Sequence, residues 1–343
     1  MGREPHPWPV PSWVTPDDLA AALEVEAGTL AWLADGQGRL RRHGTDHTLH
    51  HYRRWARTGA RGAIRVIEAP KPRLRAAQRL VLREVVAAVP AHDAAHGFRS
   101  GRGVASFAAP HVGRPVVVHL DLVAFFAHVT APRVAGIFRM IGYDAPVARL
   151  LAGLTTTATP YAMARHLLPG PDRAGIRAAL AVPHLPQGAP TSPALANLAA
   201  YDLDARLAGL AAKLGIGYSR YADDLAFSGP AYIGELVPRI VAGIVAAEGF
   251  RLNVRKMHVA RRSGAQRLTG LVVNDRLNTP RTEYDVLRAT LHRCALHGPA
   301  AENRAGVEDF RAHLLGRISW IASINGARGA KLHALVARID WSR

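Results

Sequence analysis

One segment, residues 216–229, constrains the fold of this chain more than any other. In its sequence, IGYSRYADDLAFSG, alternating apolar residues flank two adjacent aspartates, Asp223 and Asp224. Alternation with a period of two predicts paired strands, and the aspartates fall at the tip of the resulting hairpin. Adjacent carboxylates in a tight apolar hairpin repel each other, and bound cations would relieve that repulsion.

A second strand supplies a third carboxylate. Residues 115–122, PVVVHLDL, are typical of a buried strand, and they end around Asp121. A single aspartate of this kind would be better explained as a polar residue that caps the end of the strand. Three of them on neighbouring strands supply the few carboxylates that Mg²⁺ prefers beside substrate phosphates. Two ions about 3.5–4 Å apart would suit a phosphoryl transfer, because they activate a hydroxyl nucleophile and stabilise the leaving oxygen.

The charge of the whole chain favours a polyanionic partner. There are 44 Lys and Arg residues against 26 Asp and Glu, a formal net charge of +18. Such an excess in a folded chain most often indicates binding to nucleic acid. With 49% hydrophobic residues, the chain has too much apolar side chain for disorder to be its main state.

Other features narrow the class of protein. No apolar run approaches the roughly 18–20 residues of a membrane span, and no signal peptide is visible, so we expect a cytoplasmic protein without a membrane partner. The single cysteine, Cys294, excludes an intramolecular disulfide framework. The histidines of segment 41–51 fit no compact ligand set, which favours a solvated or RNA-facing segment over a metal site.

Three motifs, in this order along the chain, resemble those of reverse transcriptases. LDLVAFF (120–126) is similar to the first metal-binding strand of that family, and LPQGAPTSPALAN (185–197) matches its template–primer and nucleotide-binding turn. YADD (221–224) looks like its catalytic hairpin motif. Each motif alone is weak, but their order and spacing make coincidence an inadequate explanation.

The flanking segments extend the resemblance from about Tyr52 to the C-terminus. RVIEAPKPRLRAAQRLVL (65–82) resembles the fingers motif, and GFRSGRG (97–103) resembles the loop after it. The latter is not a Walker loop, because no GK[ST] follows. GFRLNVRKMHVA (249–260) resembles the motif that follows the catalytic hairpin.

Among reverse transcriptases, the chain is most similar to the bacterial retron type. RLTGLVVN (267–274) and the tail from residue 316 carry this resemblance. Retron enzymes usually have an Asn-Ala-x-x-His segment before the first catalytic strand, and here Phe107 replaces the Asn while His111 is retained. The usual Val-Thr-Gly likewise reads Leu268-Thr269-Gly270.

This resemblance implies an α+β right-hand polymerase with fingers, an antiparallel-sheet palm and a helical thumb. We expect an N-terminal helical cap over residues 1–50 and fingers over 51–114. The palm, with an inserted helical fingers segment, is expected over 115–278, and the thumb over 279–343.

The resemblance also assigns roles to individual residues. Asp121, Asp223 and Asp224 would be catalytic and would bind two Mg²⁺ ions, with the Leu122 carbonyl as a further ligand. Phe126 would act as an aromatic gate that excludes the ribose 2′-hydroxyl by clash, whereas Phe125 is expected in the core. The remaining expected contacts are Arg57, Arg65, Gln187, Gly188 and Lys256 with the nucleotide, and Arg99, Arg102, Pro190, Ser192 and Tyr221 with nucleic acid.

Two of these roles have a specific chemical basis. A guanidinium such as that of Arg65 pairs two phosphate oxygens and so suits a triphosphate. Lys256 lies where the family has a lysine proposed to protonate the pyrophosphate leaving group, and an ordinary surface lysine is the competing interpretation.

The function implied is RNA-directed DNA synthesis from deoxynucleoside triphosphates. In a retron enzyme, one structured non-coding RNA is both template and primer, and its 2′-hydroxyl is the first nucleophile. The product would be branched multicopy single-stranded DNA that stays bound. A separate effector protein would act with it in antiphage defence.

Two alternatives remain at this stage. The chain could be another bacterial reverse transcriptase, of the group II intron or diversity-generating type; the former is disfavoured because the chain ends directly after the expected thumb. It could also be a non-catalytic RNA-binding scaffold with the polymerase fold. Retention of the three aspartates and of the QGAPTSP turn argues against the scaffold.

Overall fold

The computed structural model describes residues 8–36, 38, 50–59 and 64–342, so residues 41–49 of the histidine-rich segment lie outside the described part. The helices are α1 (Pro16–Ala22), α2 (Ala27–Ala34), α3 (Pro72–Glu84), α4 (Val104–Ala108), α5 (Ala131–Ile141), α6 (Ala145–Thr155), α7 (Tyr161–Leu167), α8 (Ala174–Ala181), α9 (Ser192–Ala199), α10 (Tyr201–Leu214), α11 (Ile233–Ala247), α12 (Arg281–His297), α13 (Pro299–Glu302), α14 (Phe310–Ile324) and α15 (Gly326–Val336). The strands are β1 (Tyr52–Thr58), β2 (Ile64–Pro70), β3 (Val116–Asp121), β4 (Gly217–Tyr221), β5 (Asp224–Gly229), β6 (His258–Arg261), β7 (Arg267–Leu268) and β8 (Leu271–Val272).

Four antiparallel strands form the palm sheet, in the order β4-β5-β3-β6. Alternation along β3 divides its side chains between the two faces. Val116, Val118 and Leu120 pack into the main core, which also contains the buried side of α11. Val117 packs on the opposite face with Phe107 and the β7–β8 ribbon. The predicted hairpin and the predicted buried strand are both confirmed.

The segment expected to form the fingers contains a two-stranded antiparallel hairpin, β1–β2, here called the fingers hairpin, followed by α3. Strand β1 was not predicted, because its arginines and exposed positions obscure the alternation. Helix α3 ends at Glu84, and a 3₁₀ turn follows over Val86–Ala88. Val66 of β2 packs against Leu168 and Leu180 of the inserted helical segment.

Helices lie near both ends of the described part of the chain. Helix α1 begins with a capping box, in which the Thr15 hydroxyl accepts from the Asp18 amide and the Asp18 carboxylate accepts from the Thr15 amide. Helices α12, α14 and α15 pack around a core of their own, which includes Leu291, Ile318 and Leu332. Among the described residues, no helix is long and apolar enough to cross a membrane.

Candidate active site

The three aspartates converge at one end of the palm sheet. Asp121, the last residue of β3, lies directly across from Asp224, the first residue of β5. The Leu122 amide donates to the Asp223 carbonyl at 2.9 Å, which ties the two strand ends together. Burial, followed by the charges of Asp224 and Asp121, raises the pKa of Asp223 to about 6. Carboxylates that share a site in this way are suited to a divalent cation.

Neighbouring donors contact the two outer carboxylates. Lys256 Nζ lies 2.6 Å from Asp121 Oδ1, and Asn253 Nδ2 lies 3.2 Å from Asp121 Oδ2. On the other strand, Asp224 contacts His119 Nε2 at 2.8 Å and accepts from the Thr269 hydroxyl at 3.3 Å. Within the described ranges, no group of three His, Cys, Asp or Glu side chains forms a ready metal-ligand set. The carboxylates are therefore turned towards protein donors in this conformation.

The turn between the two hairpin strands has an unusual backbone. Ala222 adopts φ +54°, in the left-handed region that non-glycine residues rarely occupy. Its carbonyl accepts from Arg220 Nη1 at 3.0 Å. Gly97 lies against the same turn, since a Cβ at this position would come within 2.7 Å of the Ala222 amide nitrogen. The Arg220 guanidinium thus holds the turn from the protein interior. On the other side, the Gly97 backbone packs so closely against the turn that only glycine fits at this position.

Arg220 belongs to a fully buried polar network. Its Nε and Nη2 reach the two oxygens of Asp204 at 2.8 and 2.6 Å, and both side chains have 0% exposure. Nη1 also donates to Asn197 Oδ1 at 3.0 Å, and Asn197 Nδ2 donates to the Gly97 carbonyl at 2.9 Å. The Tyr218 hydroxyl donates to Asp204. A buried pair of this kind is tolerated only when its remaining hydrogen-bonding groups are satisfied, as they are here. Asn197 thus links this network to the loop at Gly97.

The predicted nucleotide-binding turn is joined to the fingers hairpin. The Glu68 amide of β2 donates to the Gln187 carbonyl at 2.8 Å. Gly188 adopts φ +131°, and a Cβ there would lie 3.2 Å from both the Glu68 carbonyl oxygen and Ile67 Cγ2. Glycine is therefore required for this close approach. Beyond the turn, Pro190 is half-buried and Ser192 is 1% exposed at the start of α9.

A buried carboxylate stabilises the same junction. Glu68 accepts from His184 Nε2 at 2.8 Å, from Arg54 Nε at 3.3 Å and from the Thr159 hydroxyl. Burial alone would raise the pKa of Glu68, but the charges of His184 and Arg54 and these hydrogen bonds outweigh it, so the pKa is lowered. The network links β1 and β2 to the segment that precedes Gln187.

Asp121 and Asp223 open onto a cleft of about 320 Å³. Gln187, Lys256 and Arg65 line it, and Arg57 lies directly across from Arg65 in the β1–β2 register. The predicted gate residue Phe126 is half-buried at the cleft wall, whereas Phe125 is 3% exposed and belongs to the core, as expected.

Comparison with known proteins identifies the family to which the chain belongs. Residues 56–284 match the family model described as reverse transcriptase (RNA-dependent DNA polymerase). The chain belongs to the reverse transcriptase family. It is 41% identical to the retron Mx65 reverse transcriptase of Myxococcus xanthus, over 94% of this chain and 71% of that protein.

Two further relatives are retron reverse transcriptases. The chain is 36% identical to the retron Mx162 enzyme of Myxococcus xanthus, over 94% of this chain and 66% of that protein. It is 29% identical to the retron Ec86 enzyme of Escherichia coli, over 82% of this chain and 78% of that protein. The chain is therefore a bacterial retron-type reverse transcriptase, an RNA-directed DNA polymerase with RNA and DNA as its partners. The predicted α+β polymerase fold is confirmed.

The residues of both unusual retron segments lie close to the catalytic hairpin. Phe107 is fully buried, with its ring centroid 5.8 Å from that of Tyr221, so an apolar side chain suits this position. His111 lies beneath the catalytic hairpin, with Nε2 2.7 Å from Ser219 Oγ and Nδ1 2.7 Å from Ser228 Oγ. Leu268, which replaces the usual Val, is fully buried in the same apolar cluster as Phe107, and the retained Thr269 contacts Asp224.

Two predicted nucleic-acid contacts are engaged within the protein. Arg99 Nη1 donates to the carbonyls of His92 and Ala95, and Arg102 donates to the Asp93 carbonyl and carboxylate. Both guanidinium groups therefore brace the loop over 92–95 in this reverse transcriptase. Their contact with a template stays a prediction, as do those of Pro190, Ser192 and Tyr221.

Sequence reasoning missed the residues that hold the site in place. Arg220, Asp204, Glu68 and His184 were not singled out. One signal was available, because Arg220 is a charge in the middle of an otherwise apolar hairpin. Its partner could not be identified, since Asp204 lies on a different element and reads as an ordinary helix residue.

Proposed function

We propose that this reverse transcriptase copies part of a structured non-coding RNA into branched multicopy single-stranded DNA. One observation carries the proposal: Asp121, Asp223 and Asp224 meet at one strand end, in a chain 41% identical to a retron enzyme over 94% of its length. The same RNA would serve as template and primer, with deoxynucleoside triphosphates as the other substrates.

Reverse transcriptases use divalent metal ions, and we propose two Mg²⁺ ions here. Asp121, Asp223, Asp224 and the Leu122 carbonyl would hold them, because clustered carboxylates suit a hard cation. When bound, the two ions would activate the primer hydroxyl and stabilise the leaving pyrophosphate. For this to occur, Asp121 and Asp224 would have to exchange their contacts with Lys256 and His119 for the cations.

The other cleft residues would bind and orient the nucleotide. Arg65 would pair triphosphate oxygens, with Arg57 beside it, while Gln187 and Gly188 would face the incoming nucleotide and template. Lys256, released from Asp121, would be free to donate a proton to the pyrophosphate. Phe126 would exclude a ribose 2′-hydroxyl.

The cellular role follows from the retron type. We propose that the enzyme and its RNA–DNA product act in the cytoplasm, where bacterial transcripts are made. A separate effector protein would act with them in antiphage defence.

Sequencing of the nucleic acid that copurifies with the protein tests the proposal. The chain would be expressed with the transcribed DNA that flanks its gene, and we expect a short branched RNA–DNA hybrid. An unbranched product, or RNA alone, would contradict the proposed branched product.

A primer-extension assay on poly(rA)/oligo(dT) with Mg²⁺ tests the site separately. The matched control is the Asp223→Asn, Asp224→Asn double variant, which keeps the size of both side chains but removes two negative charges. We expect extension by the wild type and none above background by the variant. Extension that persists in the variant would refute the metal-site assignment.

A further inference from the structure

Phe98 combines two features that are unfavourable for a phenylalanine. Its backbone has φ +61°, in the left-handed region where a Cβ is crowded and where Gly or Asn is favoured. Its side chain is 46% exposed, although a phenyl ring is stabilised by burial. Neither the local conformation nor the solvent environment explains the residue, and strained residues of this kind concentrate at functional sites.

The loop around Phe98 is held firmly on both sides. The Gly97 carbonyl accepts from Asn197, and the Gly97 backbone lies against the catalytic turn at Ala222. On the other side, Arg99 donates to two carbonyls of the preceding loop. The strained conformation of Phe98 is therefore imposed by its neighbours, and it directs the ring into the cleft that Asp121 and Asp223 line.

The ring of Phe98 ends a row of aromatic side chains that runs from the core to the cleft. Phe250 and Phe125 are buried, with centroids 5.4 Å apart, and Phe126 lies 5.8 Å from Phe125. Phe98 lies 6.1 Å from Phe126 at an interplanar angle of 44°. These separations fall within the range of favourable aromatic pairs. Phe126 is thus supported by Phe125 on its core side and by Phe98 on its cleft side.

We propose that Phe98 is a positioning residue for sugar discrimination, which holds the Phe126 ring where it excludes a ribose 2′-hydroxyl. The inference rests on the proposed role of Phe126 as the gate. Without Phe98, the Phe126 ring gains room on its cleft side and can leave the position in which it clashes with the hydroxyl. Discrimination by clash depends on such rigidity, because a ring that can move aside excludes nothing.

The test compares dTTP with ribothymidine triphosphate, which differ only in the 2′-hydroxyl, on poly(rA)/oligo(dT). The measured quantity is the ratio of kcat/KM for the two nucleotides. We expect Phe98→Ala to lower this ratio by roughly two- to tenfold, the range of a single aromatic pair, mainly through faster use of the ribonucleotide. Phe126→Ala should lower it further. In the double variant the ratio should equal that of Phe126→Ala, because Phe98 acts through Phe126.

A second variant separates the ring from the backbone. Asn tolerates the left-handed conformation, so Phe98→Asn should melt at the same temperature as the wild type or higher while it loses discrimination. If Phe98 had only a structural role, Phe98→Asn would instead lower the melting temperature and leave the ratio of kcat/KM for the two nucleotides unchanged. Tyr161→Ala, at a 52% exposed aromatic residue on α7, is the matched control and should leave the ratio unchanged.

The outcomes distinguish failure of the inference from failure of the gate assignment. If Phe126→Ala lowers the ratio but both Phe98 variants keep it at the wild-type value, the role of Phe98 is refuted and the gate stands. Phe98 variants that raise KM equally for both nucleotides would indicate stacking on a base, and they also refute the proposal. If Phe126→Ala keeps the wild-type ratio, the gate assignment fails, and the inference fails with it.

Discussion

Arg220 and Asp204 support the catalytic turn from the interior of the palm. Both side chains have 0% exposure, and the guanidinium reaches the Ala222 carbonyl in the turn between β4 and β5. Coulomb attraction and several hydrogen bonds offset the desolvation of the pair. The position of the Asp223 carboxylate thus depends on residues that contact neither nucleotide nor template.

Removal of one member of this pair should destabilise the fold. Arg220→Met leaves the Asp204 carboxylate buried and unpaired, and we expect the free energy of unfolding to fall by about 3–5 kcal/mol. Guanidinium chloride unfolding measures this. The matched variant, Arg220→Met with Asp204→Leu, replaces both charges by apolar groups and should recover part of the stability, while the Tyr218 hydroxyl loses its acceptor.

Primer extension then separates stability from positioning. In the double variant, the Ala222 carbonyl still lacks its donor, so extension should stay well below that of the wild type even though the protein is folded. Full activity of a stable double variant would show that the turn does not need Arg220.

At the scale of single elements, the sequence predicted those parts of the fold whose pattern is local. The hairpin at 216–229 and the strand that ends at Asp121 have the predicted type and nearly the predicted bounds. Strand β1 was missed because Arg53 and Arg57 are exposed, which hides the alternation. Arg54 is instead buried through its ion pair with Glu68 of β2. A partner on another element does not affect the spacing of apolar residues along the strand, so the sequence pattern does not reveal it.

His111 links two strands of the palm hairpin to the segment before β3. The Ser219 hydroxyl donates to the Phe107 carbonyl at 2.9 Å, so it accepts from His111 Nε2–H, and Nδ1 accepts from the Ser228 hydroxyl. The ring is neutral in this arrangement, and burial lowers the pKa of His111 to about 3.

This linkage predicts that acid destabilises the enzyme. Below about pH 6.5 the unfolded chain binds a proton at this histidine, whereas the folded chain does not until about pH 3. Stability therefore decreases as the pH falls through this window, by up to about 1.36 kcal/mol per pH unit for one such group. His96, whose pKa burial lowers to about 4, adds to the effect.

Chemical unfolding at pH 7.0, 6.0 and 5.0 measures the slope. In His111→Gln, the amide can donate to Ser219 and accept from Ser228 but does not titrate. We expect a shallower decrease in stability for this variant, with the remaining slope due to other groups. An unchanged slope would contradict the assignment of a buried neutral His111.

At the scale of the whole molecule, the formal charge of +18 surrounds a site whose decisive residues are acidic. Helices α12 and α15 present a groove lined by Arg281, Arg288 and Lys331, next to a core that is separate from that of the palm. Basic side chains that contact phosphates release counterions from nucleic acid, so affinity depends on salt.

Binding of a primer–template duplex should therefore weaken steeply as salt increases. If Lys331 contacts one phosphate, Lys331→Ala should reduce the slope of log K against log salt concentration by about 0.9, and Lys331→Arg should leave it unchanged. Fluorescence anisotropy between 50 and 200 mM KCl would measure both slopes. Equal slopes for the wild type and the alanine variant would exclude Lys331 from the binding surface.

The sequence by itself determined the family, the three aspartates and the two turns that face the cleft. Each of these is encoded in a short contiguous segment, where strand periodicity and the conformations of Gly and Pro act between near neighbours. It did not determine which groups hold those segments in place. Arg220 with Asp204, His111 with two serines, and Phe98 with Phe126 are pairs that only the tertiary structure decided. A buried polar or aromatic group takes its partner from whichever element packs against it, and packing is a property of the whole chain.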